Sequence, residues 1–239
     1  MTNKRQAKAA HRARLEQERR QRAAHRKRLT LIAGAAAVVV LAVVLVVALT
    51  GSSKGTALSL VPGGPSVDPN SLPGILTGPA PWPNNTADLA ARLSADQLPP
   101  LGGVEGQAVH IHQHIDVFIR SRAIEVPAQI GIVTSPAVVF APIHTHDATG
   151  IIHVESPVIR DFSLGEFFDV WGVRFTSTCI GGYCNNGDQR LQVFASGKVV
   201  TFDPRRLKLT GHEEIVVTFG TPSQIPRPYP ISYNFPIGL

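Results

Sequence analysis

The first long pattern in the chain is unbroken rather than periodic: Leu29 to Thr50, LTLIAGAAAVVVLAVVLVVALT, runs 22 residues without one charge. At about 1.5 Å of rise per residue such a helix crosses a hydrocarbon core of roughly 30 Å, so a transmembrane helix is expected over 29–50. Alternation of period two appears much later. VHIHQHIDVFI (109–119) sets Ile111, Ile115, Val117 and Ile119 on one face, and a turn near Arg120-Ser121-Arg122 leads to a second strand near 123–126. A second hairpin is predicted from Val138-Val139-Phe140, through Asp147-Ala148-Thr149-Gly150, to Ile151-Ile152-His153-Val154-Glu155. The period then changes. Ser163-Leu164-Gly165-Glu166 fits a capping box, Phe167 and Trp171 share a helical face, and Gly172 can end the helix. Strands near 173–177, 191–194, 198–202 and 214–219 complete the pattern.

This order predicts an α+β fold: one N-terminal transmembrane helix plus a small mixed domain of β-hairpins and one helix. Its helix-after-hairpins arrangement resembles the β-grasp plan of ubiquitin-like domains, and an all-β sandwich is the alternative. Nine of the ten Phe residues fall between Phe118 and Phe219, which locates the core-forming domain at 104–220. Residues 51–103 hold nine of the 19 prolines and read as a Pro/Gly-rich extracytoplasmic linker, with a short helix near 86–95. Residues 221–239 contain five prolines and read as an extended tail, with Tyr229, Tyr233 and Phe235 able to dock on the domain.

Charge then orients the chain. The formal net charge of +6 conceals a local +9 over residues 1–28, where 11 Lys/Arg face only Glu16 and Glu18; the rest sums to −3. No basic stripe remains beyond residue 28, so nucleic acid is excluded as a partner. Arg26, Lys27 and Arg28 flank the apolar run on one side and Lys54 alone on the other, so the basic tail is expected in the cytoplasm, against anionic membrane lipid, and the rest outside. A cleaved signal peptide is the rival reading, but the basic and apolar stretches are both long for one.

Histidines carry the chemistry. Residues two apart on a strand share a face, so His110, His112 and His114 stand together opposite Ile111 and Ile115. If the second hairpin turns about Ala148-Thr149, paired positions sum to 297; His144 then opposes His153, and His146, near them, opposes Ile151. Three neutral imidazoles form a ligand set for zinc or copper. The single Met is Met1, which excludes a thioether-rich Cu(I) site. Asp116, Asp147 and Glu155 are candidates for a fourth ligand, a partner to an imidazole N–H, or a general base. His212 reads as structural, and His11 and His25, among cations, take no site role.

The spacing fits neither a cupin, nor the HxHxDH of metallo-β-lactamase-like hydrolases, nor HExxH, and the remaining ligands of a copper–zinc superoxide dismutase are not evident. Nucleophilic catalysis has no candidate, since GxSxG, Ser-His-Asp and phosphate-loop patterns are missing. Cys179 and Cys184 are the only cysteines, and outside the cytoplasm a disulfide closing a small loop is the default over a redox pair or metal ligands.

The segments HIHQHIDVFI and PIHTHDATGIIHVESP, followed by FSLGEFFDVWGVRFTSTCIGGYC, resemble a family of uncharacterised membrane-anchored extracytoplasmic proteins with HxHxH-x-DVF, HTHDxxGxIHVES and LGxFFDVWG motifs. The likeness covers residues 80–220 and implies that His110, His112, His114, His144, His146 and His153 act as one constellation. The leading expectation is therefore an extracytoplasmic domain that binds, buffers or senses zinc or copper. The alternatives are an enzyme using metal-bound water and a metal-free interaction domain responding to pH.

Overall fold

The alternation in VHIHQHIDVFI produces an unbroken strand, β1 (Val109–Ile119), in a computed structural model that describes residues 58–62, 64, 65 and 67–239. Its odd-numbered face buries Ile115, Val117 and Ile119 in the main core. After it come β2 (Arg122–Ile124), β3 (Ile132–Val133), β4 (Val139–Phe140), β5 (Ile143–His144) and β6 (Ile151–Ser156). The helix α2 (Leu164–Trp171) separates these from β7 (Cys179–Ile180), β8 (Tyr183–Cys184), β9 (Arg190–Ala195), β10 (Lys198–Val199) and β11 (Glu214–Gly220), and a shorter helix α1 (Leu89–Ala95) precedes β1. This is the expected mixed α+β class, mostly strands with two α-helices among the described residues, and not an all-β sandwich.

Seven strands form one open sheet in the order β10-β9-β11-β1-β6-β5, with β2 also on β1. β1 lies parallel to β11, Ile115 opposite Ile215, and every other pairing in that sheet is antiparallel. β6 and β2 share the other edge of β1 in tandem: β6 takes Val109 to His114 and β2 takes Val117 to Ile119. The handover needs Gly150. It sits at φ +85°, and a Cβ there would lie 2.6 Å from the Ile115 carbonyl, so no larger residue fits where the β5–β6 turn meets β1.

α2 forms because both ends are capped as the sequence indicates. Ser163 and Glu166 exchange side-chain and backbone hydrogen bonds, and Gly172 closes the helix in the left-handed region. Phe167, Phe168 and Trp171 are fully buried in the same core as the odd face of β1. Aromatic side chains dominate that burial, and truncating one to Ala costs about 3–5 kcal/mol.

Three expectations change. The stretch read as a linker belongs, from Leu58 on, to the same compact unit as the domain, Leu58–Leu239. Trp82, Leu89 and Leu93 enter the core, and the Trp171 indole donates to the Pro83 carbonyl at 3.1 Å. A few well-placed apolar side chains and backbone bonds, such as Leu76 N to Gly172 O at 2.7 Å, outweigh a composition rich in Pro and Gly. Residues 173–177 make isolated bridges to Leu76 and Ile180 instead of a strand, because the backbone around Val173 is bonded to Leu76. Val139 and Phe140 pair with Val133 and Ile132 rather than continuing β5. The tail does dock: Tyr229 meets Phe194, Tyr233 stacks on His114 and Phe235 on His212. The predicted transmembrane helix and basic tail lie outside the described residues, among which no helix is long and apolar enough to cross a membrane.

Candidate metal centre

β6 is the axis of the centre. His153 stands opposite His112 of β1 on one side and His144 of β5 on the other, and Glu155 stands opposite His110. The 144–153 pairing is the one required by paired positions summing to 297, so the tight DATG turn sets the register that brings the imidazoles together. Directly opposed side chains share a face, and the rings fall into a contiguous patch. Centroids are 4.6 Å apart for His112 and His153, 5.5 Å for His144 and His153, and 4.4 Å for His146 and His153. His146 lies beyond the end of β5. The preceding Thr145 is buried and pinned, donating to the Pro127 carbonyl at 2.9 Å and accepting from Ile130 N at 3.1 Å.

Hydrogen-bond partners decide which ring nitrogens keep a lone pair. His144 Nδ1 lies 2.9 Å from the Ala141 carbonyl, which only accepts, so Nδ1 carries the proton and Nε2 is the free base. That Nε2 is 3.2 Å from Nε2 of His146. Two ligand nitrogens around a tetrahedral zinc, each about 2.0–2.1 Å from it, are about 3.3 Å apart. His153 Nδ1 donates to Glu155 Oε1 at 2.9 Å, leaving its own Nε2 for a ligand. A backbone carbonyl behind His144 and a carboxylate behind His153 are the outer partners that orient metal-binding imidazoles.

Glu155 Oε1 is also 3.5 Å from His110 Nε2 and 3.7 Å from His112 Nε2. His112 Nε2 and Glu155 Oε2 are buried without any hydrogen-bond partner. A buried polar atom left unpaired costs about 1–3 kcal/mol, a cost that a cation shared by nitrogen and carboxylate lone pairs removes. Ligand atoms of His144, His146, His153 and Glu155 lie within 4.8 Å of one another, as do those of His110, His112 and Glu155. These groups fit a divalent cation.

No family model, curated protein or solved structure matches the chain. Geometry and electrostatics carry the assignment.

Burial lowers His112 to about 4, helped by the neighbouring His153 and His110, and burial likewise lowers His144. Burial pushes the Glu155 carboxyl up, but the His153 hydrogen bond and the surrounding histidines outweigh it and hold the group well below the usual carboxylate range. Near neutral pH, His112 and His144 are therefore uncharged bases beside an ionised carboxylate.

His114 shares the face but not the centre. Its Nδ1 lies 2.7 Å from Glu214 Oε2 and its Nε2 lies 2.8 Å from the Thr149 carbonyl, so both nitrogens act as donors. Burial opposes the charged ring, yet the Glu214 hydrogen bond and charge raise its pKa. A ring protonated on both nitrogens offers no lone pair; with Asp116 and Glu214 it forms a separate group. Asp147 also stands aside. It is exposed and accepts from the Thr149 amide at 2.9 Å, shaping the turn rather than the centre. His212 Nε2 donates to the Leu239 carbonyl at 2.9 Å, in keeping with a structural role.

Two carboxylates escape the sequence reading. Glu214 pairs with His114 across the parallel β1–β11 register, which no local pattern announces. Glu105, in the loop GGVEGQ, places Oε1 3.2 Å from His146 Nε2 and 3.9 Å from His144 Nε2. Cys179 and Cys184 are joined as a disulfide in the β7–β8 hairpin.

Proposed function

We propose that the chain is a single-pass membrane-anchored protein whose extracytoplasmic domain binds a divalent zinc or copper ion through His144, His146 and His153, and so buffers or senses that ion. The observation that carries the reading is the pair of Nε2 atoms of His144 and His146 at 3.2 Å, one of them fixed as a free base by the Ala141 carbonyl. Glu105 is at hand as a fourth ligand. Histidine and carboxylate donors suit Zn²⁺ and Cu²⁺ in preference to the oxygen-binding Ca²⁺ and Mg²⁺. His144 and His153 are buried whereas His146 and Glu105 are part-exposed, at 41% and 36% of their side chains, so the ion enters and leaves on their side. An exchangeable ion fits buffering or sensing better than a permanent structural clamp.

The anchor rests on the uncharged run 29–50 and the +9 charge before it, which orient the domain outward by the positive-inside bias. The sheet supports the β-grasp reading: the antiparallel pair β1 and β6, then α2, then hairpin β9–β10, with the last strand β11 returning parallel to β1 at the centre. In that plan β5, which carries His144 and is followed by His146, is an addition at the edge beyond β6.

The test is competition of full-length chain, in detergent and without a polyhistidine tag, against a chelator for Zn²⁺ and Cu²⁺. The H144A/H146A double variant should lose the tightest binding, its affinity falling at least about tenfold, while H212A stays within about threefold of wild type. Equal affinities in wild type and the double variant would refute the reading.

A further inference from the structure

His110, His112 and Glu155 are not needed as direct ligands of an ion held by His144, His146 and His153, yet they are arranged as a ligand set. Glu155 is paired with His110 across β1 and β6, and His112 is the next residue on the same face. The separations of Glu155 Oε1 from His110 Nε2, 3.5 Å, and from His112 Nε2, 3.7 Å, are beyond a good hydrogen bond but close to the ligand-to-ligand spacing around a small cation. His112, 5% exposed, aims an unpartnered Nε2 into this group, and the second oxygen of Glu155, also 5% exposed, has no partner either. His110 and His112 also line a cavity of about 450 Å³, together with Ile111, Gly211, His212, Gly238 and Leu239.

We propose that the domain holds a second divalent cation of the same zinc or copper class at His110, His112 and Glu155, linked to the first through Glu155. The inference rests on the first site being a metal site. Glu155 serves both: its carboxylate ligates the second ion, while Oε1 accepts the Nδ1–H of His153, whose other nitrogen keeps its lone pair for the first. Loading the second site draws electron density from the carboxylate and weakens its support of His153, and the two cations repel. Binding is therefore sequential, the second ion at least about tenfold weaker than the first.

The experiment is Zn²⁺ titration of untagged full-length chain by equilibrium dialysis, with elemental analysis for stoichiometry and near-ultraviolet circular dichroism to confirm that each variant is folded. Wild type should bind two ions in a tight and then a weaker step. H110A/H112A should bind one, with the tight affinity within about threefold of wild type. Glu155→Gln should lose the weaker ion and hold the tight one about 10–100-fold less well. One ion in wild type, unaffected by H110A/H112A but lost in H144A/H146A, would overturn the second site and leave the first standing. One ion lost in either double variant would show a single ion spanning both clusters and would also overturn it. No bound ion would overturn both sites.

Discussion

Two buried polar clusters lie in this domain, and they differ in what their hydrogen bonds leave over. Beside α2, Arg92 is fully buried and donates to the carbonyls of Asp169 at 2.8 Å, Asn85 at 2.6 Å, Pro73 at 3.2 Å, Val170 and Ala87. Arg205 forms a forked pair with Asp169, at 3.0 and 2.6 Å, and donates to the Phe175 carbonyl. Both guanidinium groups end on oxygens that accept from them, which ties the stretch before α1 to α2 and to the segment before β11. In the histidine cluster two imidazole nitrogens face one another, and a buried nitrogen and a buried carboxylate oxygen go without partners. Asp96, in the first cluster, also lacks a partner, but its raised carboxyl keeps a proton beside Asp169 and adds no charge, so that cluster is a strut, whereas the histidine cluster leaves over an imidazole lone pair and an ionised carboxylate oxygen, which suit a cation.

The sharpest way to break this comparison is to remove one partner from the strut. Arg205→Met should cost about 3–5 kcal/mol in chemical denaturation, since Asp169 is left as a buried unpaired carboxylate, yet leave Zn²⁺ affinity within about threefold of wild type. A matching fall in metal affinity would mean that the clusters are coupled. Next in size, Zn²⁺ at 100 times the Kd of the first site should stabilise the wild-type domain by at least about 2.7 kcal/mol, R205M by as much as wild type, and H144A/H146A by about 2.7 kcal/mol less, the share of the first site.

Smallest, taken per pH unit, is an effect of pH on the strut. Asp96 lies in the same cluster, and burial first, then the charge of Asp169, raises its carboxyl to about 8. The folded state therefore holds a proton that the unfolded state releases near the ordinary value of 3.8. This contribution to stability is full below that value and is lost as pH rises to about 8, with a slope of at most about 1.4 kcal/mol per pH unit. Asp96→Asn should flatten the slope. An unchanged slope would locate the proton elsewhere.

Much of the histidine cluster was legible in the sequence because its causes are local. Parity along β1 and the position of the DATG turn suffice to oppose His144 and His153, and the Ser163–Glu166 box with Gly172 suffices for α2. What was not legible depends on residues far apart in the chain. The Glu105 contact with His146 spans a loop with no periodicity, and the Glu214 partner that removes His114 from the ligand set arrives through a parallel strand a hundred residues on. The short helix expected near 86–95 is present as α1 and carries Leu89 and Leu93 into the core, but composition misled for the rest of 58–103, where prolines and glycines conceal Leu72 and Trp82, side chains that are nearly all buried. The disulfide needed only the count of two cysteines and a tight intervening turn.

The most direct test of the metal centre is X-ray absorption at the zinc edge on full-length chain loaded with one equivalent of Zn²⁺. Nitrogen and oxygen ligands at about 2.0–2.1 Å are expected, with the outer-shell scattering of several imidazoles, and a weaker imidazole signal in H144A/H146A. A shell of oxygens without imidazole scattering, or an identical spectrum from the double variant, would contradict the assignment.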